Sequence, residues 1–365
     1  MMMPLRGALS PLGVGRGAAE LSYLLRDEFT TDDAAPITNP RTCEPGPGTL
    51  TFTDTGNRLS VASGALISSA SAINDPKFYS SAISRACGVG VVFRVNKTLG
   101  PVAAPYLGFS SSTTPSYSTI YGVLFNGNSI GYVLKNGVLT TIEKAITRDI
   151  YYNFFVVLRG AGNLIILDNK LIYVQTGGAE ASLYVAAGTT NAGQDPGKYD
   201  YIRAGQFSGG FESEYGIATN RVASPAVGET ITQEADALVE MTWTAVTGET
   251  WELSTRRTDD DNRWIVRCGQ AGNTIKLIQK ESGTETERSS AAQTWTNGTS
   301  YRLLIILEGN SIKTFVENVP KNTYASATFN NTVTGVKTDR AGSNLIAWPC
   351  TLSGAALAEL QRWTA

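Results

Sequence analysis

The chain is patterned in short stretches that alternate or run apolar with a strand-like period. In Asn262-Arg263-Trp264-Ile265-Val266-Arg267-Cys268, the residues Arg263, Ile265 and Arg267 share one face, while Trp264, Val266 and Cys268 share the other. Asn273 to Lys280 alternates likewise, with Ile275, Leu277 and Gln279 opposite Lys276, Ile278 and Lys280. Phe154 to Leu158 and Leu303 to Leu307 are unbroken apolar runs, which predict central strands buried on both faces. Gly-Asn and Asn-Gly punctuation at 126–128, 136–137, 160–163, 297–298 and 309–310 supplies hairpin turns. Strands arriving every 8–14 residues favour a sandwich over a βαβ fold. One helix is predicted at the end, Ser353 to Arg362, with Ser353 as N-cap and Leu357 and Leu360 on one apolar edge.

The pattern is also repeated. Tyr152-Asn153-Phe154-Phe155-Val156-Val157-Leu158-Arg159-Gly160 aligns with Tyr301-Arg302-Leu303-Leu304-Ile305-Ile306-Leu307-Glu308-Gly309 at an offset of 149, held without a gap to Asp168-Asn169 against Glu317-Asn318. Upstream, Tyr121 to Phe125 parallels Arg263 to Arg267, and Val91 to Val95 parallels Val239 to Trp243. The order is kept, so the chain reads as an arm (1–26) followed by two copies of one domain, 27–206 and 207–365. The arm carries Pro4, Pro11, Gly7, Gly13, Gly15 and Gly17. It is therefore expected to hold no strand or helix of useful length and to order only against a partner.

Composition narrows the chemistry. The 365 residues contain no histidine, which removes the Ser-His-Asp and Cys-His nucleophile pairs, the HExxH zinc site and any imidazole base. Charged residues are 17% of the chain, below the ~25% usual for soluble proteins, and 37 glycines are well above average; the composition is that of an all-β protein. Thirty basic and 32 acidic side chains are spread without a basic stripe, which sets nucleic-acid binding aside. Cys43, Cys87, Cys268 and Cys350 lack metal-ligand spacing. They read as small buried thiols, with disulfides as the alternative in an oxidising compartment. Neither a secretory apolar stretch nor an 18-residue apolar run occurs, so a membrane partner is not expected.

Tyr301 to Asn318, together with the closing Thr351-Leu352-Ser353-Gly354-Ala355-Ala356-Leu357-Ala358-Glu359-Leu360, resembles the laminin-G/concanavalin-A-like jelly roll, whose members often end in a short helix of this kind. Arg26-Asp27-Glu28-Phe29-Thr30-Thr31-Asp32-Asp33 resembles the entry of jelly-roll modules common in bacteriophage virion proteins, and the arm from Ser10 to Gly17 is similar in character. The resemblance implies two tandem antiparallel jelly rolls and a setting in a virion.

Each candidate site has a plainer reading. Family-16-type glycosidases share the jelly roll and need a same-strand E-x-D-x-x-E. The nearest approach is Glu212-Ser213-Glu214, without a third carboxylate. Asp259-Asp260-Asp261-Asn262 offers hard oxygen ligands for calcium, but Asp and Asn are also favoured at a hairpin tip; copy 1 has Thr113-Thr114-Pro115-Ser116 near that place. Gly13-Val14-Gly15-Arg16-Gly17 lacks the βαβ context of a phosphate loop. All six tryptophans lie in copy 2; Trp243 and Trp264 read as core, while Trp251 and Trp295 are the candidates for surface stacking on sugars. The expectation is a non-enzymatic virion structural protein, capsid- or tail-associated, with no cofactor and no metal site. Its partners would be other virion proteins and its own copies. The alternative is a lectin-like module that binds a host polysaccharide, and the least favoured reading is a polysaccharide-degrading enzyme.

Overall fold

The computed structural model describes residues 21–54, 57, 59–68, 76–96, 105–126, 129–147, 149–160, 162–176, 180–189, 197–213, 217–325 and 333–365. The fold class matches the expectation: the chain is all-β, folded into two tandem antiparallel sandwiches with one short helix, α1 (Gly354–Thr364), at its end.

In the N-terminal sandwich, sheet A runs in the order Lys170–Thr176, Gly162–Leu167, Tyr151–Arg159, Val89–Asn96, Lys198–Gln206, Ala65–Ser68, Leu59–Ala62. Sheet B faces it in the order Val138–Ala145, Ser129–Lys135, Ile120–Asn126, Pro105–Ser110, Ser182–Thr189, Lys77–Ser84, Thr49–Thr53, Arg41–Thr42. In the C-terminal sandwich, sheet C runs Val319–Tyr324, Ser311–Val316, Ser300–Glu308, Ala237–Thr244, Ser343–Pro349, Asn220–Val222. Sheet D runs Thr284–Ala292, Thr274–Glu281, Arg263–Gly269, Thr250–Arg257, Val333–Thr338, Thr230–Glu234.

The first five strands of A and C correspond in order, as do the first six of B and D. Tyr151–Arg159 and Ser300–Glu308 occupy the same place at the same 149-residue offset. Small details are copied too. The Tyr152 hydroxyl accepts the Thr147 N–H at 2.7 Å, and the Tyr301 hydroxyl accepts the Thr296 N–H at 2.9 Å.

The unbroken apolar runs are explained by what lies on each face. Phe154 points into the first sandwich, where it meets Phe125 edge to face at 5.2 Å. Phe155, on the opposite face, meets Phe207. Leu303, Ile305 and Leu307 belong to the core of the second sandwich, whereas Leu304 and Ile306 join Trp348 and Ile346 in a cluster continuous with the first sandwich. The two sandwiches therefore share a buried seam. Buried charge runs along it: Arg302 donates to Glu240 Oε2 at 2.6 Å, to the Val174 carbonyl at 2.8 Å and to Asn318 Oδ1 at 3.0 Å, and Arg159 lies 3.6 Å from Glu240.

Two expectations need correction. The arm was drawn to residue 26, but Tyr23–Asp27 is a strand of the first sandwich, paired antiparallel with Lys198–Gln206, and Leu25 is fully buried. Five residues with two inward apolar positions are enough to extend a sheet, whatever the composition upstream. The rest of the arm, residues 1–20, lies outside the described residues. The closing helix lies on the first sandwich although its sequence follows the second: Trp363 stacks on Phe207, and Ser208 donates to Glu359. Ser353 stands at its N-cap but makes no side-chain cap bond.

Candidate functional site

The outer face of sheet B is assembled by strand register. One row runs from Tyr79 through Ala186, Gly108, Gly122 and Leu134 to Leu139. A second row, on one side of it, runs from Lys77 through Gly188, Tyr106, Leu124 and Tyr132 to Thr141. A third, on the other side, runs from Ala82 through Tyr184 and Ser110 to Ile120. In the central row Gly108 and Gly122 pair so closely that a Cβ on either would strike the facing backbone, at the Tyr121 carbonyl oxygen for Gly108 and at that of Leu107 for Gly122. A Cβ on Gly188 would sit 2.5 Å from the Tyr106 hydroxyl, so glycine is required for that ring to pass over the strand.

Tyr106, Ile120, Leu124, Leu134 and Ala186 form a small separate core, with Tyr79 and Tyr132 half-buried against it. Tyr79 and Tyr184 meet edge to face at 6.1 Å. The result is a shelf on which Tyr79, Tyr132 and Tyr184 are half-buried around the fully buried Tyr106, with Leu139 exposed at its end. At 4.7–4.9 Å per strand, the row from Tyr79 to Leu134 spans roughly 19 Å.

A hydroxyl-rich loop borders the shelf. The Tyr106 hydroxyl donates to the Pro115 carbonyl at 2.9 Å and ties the loop to the sheet. Within it, Ser110 pairs with Thr119, Ser112 with Thr114 and Ser116 with Ser118, all through hydroxyls; Tyr117 stands out at 44% exposure. In the three rows, Lys77 is the one charged residue.

The equivalent face of the second sandwich has the opposite character. On sheet D, Arg267 bridges Glu252 and Glu285, Lys276 pairs with Glu287, and Asp260 is approached by Arg257, Arg263 and Lys337. The Asp259-Asp260-Asp261 tip belongs to this lattice. Hydrogen bonds from Arg257 and Lys337 hold the Asp260 carboxyl below its usual range, Asp261 pairs with Lys280, and Asp259 closes an Asx turn on Asn262. Its carboxylates are turned toward cations and backbone rather than toward one another, and among the described residues no group of three metal ligands forms. Calcium at this tip is therefore not supported.

The tryptophan expectation fails for a different reason. Trp251 and Trp295 are 1% and 4% exposed. Trp243 stacks on Trp251 at 5.4 Å and meets Trp295 edge to face at 5.5 Å, so the three close one end of the second sandwich. Their indole N–H groups are bonded within the fold, Trp251 to Thr338 and Trp295 to the Thr274 carbonyl. All six tryptophans are buried. The aromatic surface lies instead on tyrosines of the first sandwich, which the sequence reading did not single out.

Of the nearest carboxylate pair, Glu212 accepts the Gly210 N–H at a turn, and Glu214 lies outside the described residues. Burial pushes two other carboxyls up. Asp27 is fully buried and accepts from Phe29 N–H and Arg41, and Asp339 accepts from Glu252 N–H. Neither is on the tyrosine shelf. The cysteines are free thiols; burial pushes Cys43 up to about 12 and raises Cys350 further, so neither is a ready thiolate. No helix among the described residues is long and apolar enough to cross a membrane.

No family model matches the sequence, and no curated protein matches it. Solved structures similar in part include the carbohydrate-binding module CBM66 from Bacillus subtilis, at 12% identity over 36% of this chain and 94% of that one, TM-score 0.29. The galectin LEC-6 from Caenorhabditis elegans is 13% identical over 35% of this chain and 93% of that one, TM-score 0.30. LamAcat from Zobellia galactanivorans is 12% identical over 51% of this chain and 98% of that one, TM-score 0.36. At these scores the likeness assigns no residue and no activity to this chain.

Proposed function

We propose that the chain is a non-enzymatic carbohydrate-binding protein that holds a polysaccharide along the tyrosine shelf of its N-terminal sandwich. The observation that carries this reading is the contrast between two equivalent faces. One is locked in ion pairs, while the other presents half-buried tyrosines on a nearly uncharged surface beside a loop of serines and threonines. Tyrosine offers an apolar ring for the C–H face of a sugar and a hydroxyl at its tip. The half-buried Tyr79 and Tyr132 stand four strand spacings apart, roughly 19 Å, a span that fits a neutral chain of several sugar units better than a compact ion. The reading is non-enzymatic because hydrolysis needs a carboxylate pair at the scissile bond, and the described residues of the shelf provide none.

Binding of the full chain to a panel of neutral and anionic polysaccharides, followed by affinity electrophoresis, tests the proposal. Retardation by a neutral polymer supports it. Retardation by anionic polymers alone, lost at moderate salt, would reject it, as would new reducing ends on prolonged incubation. The setting proposed from the sequence is a virion, with this chain as a capsid- or tail-associated component. Mass spectrometry of purified particles decides that point.

A further inference from the structure

The turn Asp168-Asn169 and its counterpart Glu317-Asn318 are built alike and used differently. Asp168 and Glu317 have φ of 52° and 49°. Each carboxylate accepts a backbone N–H from the neighbouring strand, Asn153 at 2.9 Å and Arg302 at 2.6 Å. In the second sandwich this turn is consumed by packing, with Asn318 buried between Arg302 and Tyr173. In the first, Asp168 and Asn169 stay exposed and border a crevice of about 290 Å³ whose other wall is α1.

The crevice has an apolar floor and a polar rim. Phe155 and Leu360 lie at the bottom with Leu357 beside them. The rim holds the Asp168 carboxylate, the Asn169 and Gln361 amides and the Thr364 hydroxyl. Among the described residues no cation pairs with Asp168. From this arrangement we infer that the crevice between the Asp168 turn and the closing helix is a binding site for a single sugar ring.

The argument is one of size and donor count. Small-molecule pockets run from roughly 300 to 1,000 Å³, so this one, just below that range, has room for one ring and too little for a peptide or an oligosaccharide. A purely apolar ligand would cover the carboxylate and the amides without bonding them, and an anion would meet Asp168. A ring with hydroxyls on its edge and C–H groups on its face satisfies both surfaces, because the carboxylate accepts and the amides do either. Phe155 points away from sheet B, so the crevice and the tyrosine shelf lie on opposite sides of the sandwich and stand independently. One wall comes from the first sandwich and the other from the last residues of the chain, so a ligand here also fastens the helix.

The test uses the full chain with methyl glucoside, methyl galactoside and N-acetylglucosamine at millimolar concentration. Saturation-transfer NMR reports contact and thermal melting reports linkage. At least one sugar should give transfer and raise the melting temperature with concentration. Asp168→Asn keeps an acceptor for the Asn153 N–H and should weaken that sugar about tenfold or more. Gln361→Ala should weaken it without unfolding the chain, and Tyr184→Ala should leave it unchanged. Absence of transfer and of any melting shift for all three sugars would overturn the inference. So would a signal that survives Asp168→Asn and Gln361→Ala but disappears in Tyr184→Ala, since the sugar would then belong to the shelf.

Discussion

Trp363 lies flat on Phe207, with ring centroids 4.4 Å apart and planes 10° from parallel. Phe207 follows the last strand of the first sandwich, and Trp363 is in the last turn of the chain. Around them Arg203 donates to the Trp363 carbonyl at 2.8 Å and to Glu28, and the Trp363 indole donates to Glu359 at 2.9 Å. Just before the helix, Leu171 N–H donates to the Cys350 carbonyl and Leu352 N–H to that of Asn169, so the segment also pairs with the edge of sheet A. The end of the second copy thus completes the first.

Trp363→Ala should therefore destabilise the N-terminal sandwich rather than the C-terminal one. Removing a fully buried tryptophan costs about 3–5 kcal/mol. Urea unfolding followed by hydrogen exchange would show lost protection along Lys198–Gln206, with the Ala237–Thr244 strand spared. Trp363→Phe keeps the stack, loses the bond to Glu359 and should cost clearly less.

Starting the chain at Asp27 tests the corrected arm boundary. It deletes the pairing of Tyr23 with Gly205 and of Leu25 with Ala204, and the edge-to-face contact of Tyr23 with Trp363 at 5.2 Å. Burial of Leu25 alone is worth roughly 1.5–3 kcal/mol, so the melting temperature should fall. An unchanged value would return residues 21–26 to the arm.

How far the sequence can be read follows from what each signal depends on. The 149-residue offset and the two-face burial of Phe154 to Leu158 were legible, because both live in the local pattern. What covers the second face was not: Phe207 and Trp363 meet across more than 150 residues, and no periodicity encodes that pairing. Once Trp243 and Trp264 are read as core, Trp251 and Trp295 remain as the surface candidates, but they pack against Trp243 at one end of the sandwich, a contact between separate strands that local pattern does not encode. Gly108 and Gly122 read as isolated glycines. They become one row with Ala186 and Tyr79 only when the strand register is known.

The seam charges make an unequal prediction. Glu240→Leu removes the carboxylate that both Arg302 and Arg159 face, at 2.6 and 3.6 Å, and should cost about 3–5 kcal/mol. Arg302→Met leaves Glu240 beside Arg159 and should cost less. Denaturant midpoints of the two variants provide the comparison, and equal losses would mean that Arg159 contributes nothing to the cluster.

Acid should loosen the helix. Burial tends to raise Glu359, but donation from the Ser208 N–H and hydroxyl and from the Trp363 indole outweighs it, and the carboxyl is held below its ordinary 4.5. Burial likewise raises Glu28, and hydrogen bonds and charge from Arg203 and Arg26 bring it below 4.5. A carboxyl lowered in the folded state stabilises it fully above the unfolded value and loses that contribution as pH falls through the folded value. Stability should therefore drop below about pH 4.5, and Glu359→Gln should flatten that part of the profile.

The tyrosine shelf makes the final prediction. Tyr79 and Tyr184 touch each other and lie on neighbouring strands, so a bound chain that covers one ring reaches the other. Each ring remains half-buried, so truncation removes contact area without opening the main core. Tyr184→Ala should weaken the retarding polysaccharide by roughly 1–2 kcal/mol, about five- to thirtyfold, with little change in melting temperature. Tyr79→Ala should do the same, and the double variant should lose less than the sum because the rings share a contact. Lys276→Ala, on the charged face of the second sandwich, should have no effect on binding. If affinity electrophoresis shows Lys276→Ala weakening the polymer while Tyr184→Ala does not, the binding face is sheet D and the shelf is only a packed surface.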